Sequence, residues 1–68
     1  MDWEDALELC EEIEELLDEL PDRAEEFATS VGEKVADMRE WIEDNEHVTP
    51  KQLDALENMK AGCENWLQ

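Results

Sequence analysis

Apolar residues recur along the first third of the chain at Ala6, Leu9, Cys10, Ile13, Leu16, Leu17 and Leu20. Steps of three and four gather all of them on one face of an α-helix. The spacing predicts a helix over 3–19. Asp2 stands where a side chain caps the first turn. Pro21 ends the helix, because the residue before a proline is pushed out of the α region. A second stripe, Ala24, Phe27, Ala28, Val31, Val35, Met38 and Ile42, predicts a helix over 22–45. Asp22 followed by Glu25 reads as its capping pair, and Thr29, Ser30 and Gly32 lower helix propensity in its middle. The third helix has the clearest start. In HVTPKQL, Thr49 takes the N-cap, Pro50 the first helical position and Gln52 the third, so a capping box forms where proline's missing N–H costs nothing. Val48 and Leu53 flank that cap as a hydrophobic staple. Leu53, Leu56, Met59, Cys63, Trp66 and Leu67 extend the stripe over 50–67.

Three amphipathic helices with short connections predict an all-α, up-down-up three-helix bundle, a single domain over 1–68. The Leu20-Pro21 corner is tight enough to splay the first two helices. A second copy of the chain would then complete the core as a homodimer. No run of about 20 apolar residues is present, so no membrane span is expected. The acidic start MDWEDALEL lacks the positive region of a signal peptide, and a cytoplasmic protein is expected.

Charge changes the picture. The 68 residues carry a net charge of −17, spread unevenly. Residues 1–26 hold thirteen acids and one Arg, residues 27–49 six acids against Lys34 and Arg39, and residues 50–68 three acids against Lys51 and Lys60. Such asymmetry marks an interaction surface. It argues against direct nucleic-acid binding, since phosphates would be repelled, and against anionic lipid. On a helical wheel, Glu4, Glu8, Glu11, Glu15 and Asp18 form one line opposite the first apolar stripe. Asp5, Glu12 and Glu19 flank it on one side and Glu14 on the other. The nine carboxylates from Glu4 to Glu19 span about 22 Å of helix. The pairs 4/8, 8/12, 11/15, 14/18 and 15/19 are all like-signed, each unfavourable by a few tenths of a kcal/mol, with no Lys or Arg on that helix. The second helix adds the outward line Glu26, Glu33, Asp37, Glu40 and Asp44. The ordinary reading of such faces is a solvated surface; the functional one is a polyanion for a basic partner.

Other chemistry is sparse. Aligned as an EF-hand, HVTPKQLDAL places Trp41, Glu46 and Gln52 where a Ca²⁺ loop needs its first Asp, its glycine and its bidentate Glu, so no metal or cofactor is expected. His47 is a loop residue beside a helix cap. No nucleophile–His–acid pattern and no glycine-rich phosphate loop is evident, and the chain is expected to be no enzyme. Cys10 and Cys63 fall on apolar faces and read as buried thiols. Trp3, Leu7, Trp41 and Trp66 are candidates for self-association; on the third helix Ala55, Met59, Gly62 and Trp66 widen the apolar arc, and the small residues among them allow another helix to come close.

The stretch Trp41–Leu67 resembles short phage and environmental bacterial reading frames in which a helix ends in Asn or Gly, followed by hydrophobic-Thr-x-x-Gln-x-x-x-Leu. The acidic half is similar, in charge and size and in no motif, to phage DNA mimics that inhibit restriction enzymes, uracil-DNA glycosylase or CRISPR effectors. The resemblance implies an anti-defence inhibitor that occupies the basic groove of a host nucleic-acid-binding protein. The residues expected to meet it are Glu4, Glu8, Glu11, Glu12, Glu15, Asp18 and Glu19, with Glu26, Glu33, Asp37 and Glu40. The competing expectation is a homodimeric adaptor that binds through apolar faces.

Overall fold

A computed structural model describes residues 2–68. It contains α1 (Trp3–Glu19), a 3₁₀ turn (Asp22–Ala24), α2 (Glu25–Asn45) and α3 (Pro50–Leu67). The three-helix bundle is as the apolar spacing predicts. Asp2 Oδ1 accepts the Trp3 N–H at 2.8 Å. Both bonds of the predicted capping box form: Gln52 N–H donates to Thr49 Oγ1 at 3.1 Å, and Thr49 N–H to Gln52 Oε1 at 3.0 Å. Val48 is buried beneath this cap, and Leu53 packs on the core beside it.

One boundary is corrected. Residues 22–24 are not the first turn of α2, and the Asp22–Glu25 capping pair does not form. Pro21 is extended, and the Ala24 N–H closes back on its carbonyl at 2.9 Å. Ala24 is driven into the core by this tight turn, so α2 starts with no side-chain cap. Its other end stops at Glu46, whose backbone is left-handed with φ 47°.

α1 is the central element. It lies along α2 on one flank and α3 on the other, while α2 and α3 meet over a smaller area. Glu14 meets Arg39 and Leu17 faces Gly32, so α1 and α2 run antiparallel. Lys60 of α3 is level with Glu12, and Glu64 with Glu15 and Glu19, so α1 and α3 run parallel.

Ala6, Cys10 and Ile13 of α1 pack with Val31, Val35 and Ile42 of α2, Val48, and Leu56 and Cys63 of α3. Burying a side chain such as Ile13, Ile42 or Leu56 contributes about 1.5–3 kcal/mol. Among the described residues no polar side chain is buried. Leu67, assigned by spacing to the third stripe, is instead 40% exposed. The parallel register brings it level with Glu19, where α1 ends, which leaves it only partly covered. The close approach of another helix expected at Gly62 is made within the chain, by the Phe27 ring of α2. Phe27 also meets Trp66 (centroids 6.2 Å), over which the Arg23 guanidinium lies at 5.8 Å.

Candidate functional site

The candidate site is the carboxylate face of α1 and the grooves that flank it. Helical periodicity turns Glu4, Glu8, Glu11, Glu15 and Asp18 away from the core that Ala6, Cys10 and Ile13 enter, and all five are exposed. The helical backbone of α1 sets the spacing of these charges along the axis.

The two grooves differ. Between α1 and α2, Arg39 reaches across and forks onto Glu14, with Nη1 3.1 and 3.3 Å from its two carboxylate oxygens. The same guanidinium lies 3.8 Å from Glu11 and 3.5 Å from Glu43. Gly32 and Ala36 line this groove beneath it. The hydrogen bond and charge of Glu14 push the Arg39 guanidinium above its ordinary pKa. Between α1 and α3 the only cation among the described residues is Lys60, bonded to Glu12 at 2.9 Å. That bond raises the ammonium's pKa. Around Lys60 stand Asp5, Glu8, Glu12, Glu15 and Glu19 on the α1 wall and Glu57 and Glu64 on the α3 wall, over a floor of Leu9 and Leu16.

The positions bear on the expectations unevenly. Glu4, Glu8, Glu15, Asp18 and Glu19 are exposed, and no ion pair forms on them among the described residues. Glu11 and Glu12 are exposed and partnered within the chain. The like-charged α1 helix is therefore relieved, in part, by cations from α2 and α3. Glu26, Glu33, Asp37 and Glu40 are exposed on α2. Glu40 borders the Arg39 groove, whereas Glu26 and Glu33 border a separate depression with Thr29 and Ser30. The two acidic lines are thus two faces divided by the Arg39 network rather than one sheet of charge. Of the self-association candidates, Trp3 and Leu7 are half-buried against the chain's own core and Trp66 is held by Phe27 and Arg23. Trp41 is 41% exposed, with His47 at its edge (centroids 6.4 Å).

Glu57 and Glu64 were missed in the sequence. Their signal was the 57/60/64 spacing, which sets both carboxylates on the Lys60 side of α3; using it requires knowing that α3 lies parallel to α1. Cys10 and Cys63 are buried free thiols. Burial, reinforced by the Glu14 charge, raises Cys10 to about 11, so it is neither a nucleophile nor a ready metal ligand at neutral pH. Among the described residues no cluster of His, Cys, Asp and Glu could hold a metal ion, and no helix is long and apolar enough to cross a membrane.

Fold and face together define a small all-α bundle that presents a fixed anionic surface. Comparison with protein-family models, curated proteins and solved structures gives no match.

Proposed function

We propose that this chain is a non-enzymatic inhibitor that sets the α1 carboxylate face into the basic groove of a nucleic-acid-binding protein. The setting implied by its likeness to phage DNA mimics is antagonism of a host defence protein of the restriction or CRISPR kind. One observation carries the reading: the uncompensated charge density of an exposed helical face. Nine carboxylates between Glu4 and Glu19, less the two cations Arg39 and Lys60, leave seven net charges. Over about 22 Å that is one per roughly 3 Å, close to the ~3.4 Å phosphate spacing along one DNA strand. Basic side chains spaced for a phosphate backbone meet a similar charge spacing here, and counterion release drives association.

The test is capture from nuclease-treated host lysate at about 0.1 M salt, followed by elution with duplex DNA or RNA; salt screening at this strength is still moderate. The expected result is a nucleic-acid-binding protein that nucleic acid displaces and that is lost at about 0.5 M salt. The triple variant Glu4→Gln, Glu8→Gln, Glu15→Gln removes carboxylates that hold no internal ion pair, so helicity by circular dichroism should survive while capture is lost. Equal capture by this variant would overturn the proposal. A partner that resists high salt and depends on Trp41 would instead support the apolar adaptor.

A further inference from the structure

The two grooves beside α1 are not equivalent, and the difference bears on how a partner sits. The α1–α2 groove is closed by one guanidinium that touches carboxylates on both walls. The α1–α3 groove is crossed at its middle by a single pair among the described residues, Lys60 with Glu12, and is otherwise open: Asp5, Glu8 and Glu57 surround Leu9 on one side of the pair, and Glu15, Glu19 and Glu64 surround Leu16 on the other. Those leucines are seven residues apart, two helical turns, and both are partly buried. The side chains on this floor are therefore apolar, while both rims are anionic.

Resting on the reading above, we infer that the α1–α3 groove receives a basic amphipathic helix of the partner. A helix laid between two others is the arrangement by which bundles add an element, at axial separations of about 8–10 Å. Its apolar side would meet Leu9 and Leu16. Its Lys and Arg residues would flank that side and reach Glu8 and Glu15 on one rim, Glu57 and Glu64 on the other. As in the DNA major groove, the helix would lie between two walls of negative charge, here over an apolar floor in place of base edges. Lys60 then acts against the partner. It occupies the middle of the groove with the same sign as the incoming helix.

The probes are two synthetic peptides of equal length and net charge: a helix-forming Leu/Lys peptide with its leucines on one face, and oligolysine. Binding is read by fluorescence anisotropy at about 0.1 M salt, where screening leaves contacts within ~10 Å effective. The amphipathic peptide should bind at least about tenfold tighter, because one or two buried leucines supply that factor. The double variant Glu57→Gln, Glu64→Gln should weaken it as much as Glu8→Gln, Glu15→Gln does, whereas Glu26→Gln, Glu33→Gln on α2 should leave it unchanged. Lys60→Gln should tighten it by about fivefold, the size of one close charge–charge interaction in water. All these residues are exposed or at the rim, so folding is retained. If α1 variants weaken binding and α3 variants do not, or if both peptides bind alike, the groove inference fails while the polyanionic face stands. Failure of both peptides to bind would sink the groove inference and the polyanionic face together.

Discussion

Glu46 holds a left-handed backbone, φ 47°, at the exit of α2, where glycine is the residue without a steric penalty. The penalty for an L-residue is about 1 kcal/mol. Glu46→Gly should raise stability by about that amount in chemical denaturation. The two helical glycines make a sharper comparison. A methyl at Gly32 would meet Leu17 Cδ1 at 3.7 Å, an ordinary contact, whereas one at Gly62 would meet the Phe27 ring at 2.9 and 3.3 Å. Replacing a helix-interior glycine by alanine gains about 1 kcal/mol. Gly32→Ala should realise most of that gain; Gly62→Ala should lose much of it to displacement of Phe27, with a change in Trp66 fluorescence. Cys10 gives a pH signature. An unfolded thiol ionises near its ordinary 9.0, the folded one at about 11. The folded state keeps the proton longer, so its stabilising contribution is complete below pH 9 and is lost as pH rises to 11. The melting temperature should fall over that window. If it is flat from pH 8 to 10.5, the thiol is not held in the buried, neutral state.

At the scale of elements, legibility follows the locality of the chemistry. The cap of α3 could be read residue by residue, because Thr49 and Gln52 satisfy each other's backbone groups within four positions. Thr49→Ala should therefore lower stability by about 1 kcal/mol, with faster hydrogen exchange at the Gln52 and Leu53 amides that bond to Thr49. The apolar stripes were legible because core burial demands one face per helix. The start of α2 was not: Asp22 and Glu25 have the residue types of a capping pair, but burial of Ala24 and the extended Pro21 select a 3₁₀ turn. The anionic line on α1 was legible from spacing alone. Its partial neutralisation was not, since Arg39 and Lys60 lie 25 and 48 positions from the glutamates they reach. Nor was the α1–α3 groove, whose second rim exists only because α3 returns parallel to α1.

Across the whole molecule, a thin core opposes a large self-repulsion. A chain of this length buries only about 60% of its unfolded surface, and a charge of −17 is confined to a body of 35 × 18 × 17 Å. Two sets of internal ion pairs hold the acidic helix to its neighbours, and both are exposed enough to be screened. Repulsion acts over a longer range than those pairs do. Raising salt from about 0.01 to 0.15 M shortens the screening length from about 30 to 8 Å, so it removes distant like-charge repulsion while contacts near 3 Å largely persist. The melting temperature should therefore rise with salt, most steeply below 0.1 M. Arg39→Gln should melt lower than the parent at every salt, since Glu11, Glu14 and Glu43 then face one another without a cation. Binding to a basic partner has the opposite slope, because counterions released on association must be given up to a more concentrated solution. Stability climbing while affinity falls over one titration would assign both effects to the same carboxylates. A melting temperature that drops with salt would mean that ion pairs, rather than repulsion, dominate the surface, and the α1 face would then be too well compensated to stand in for a phosphate backbone.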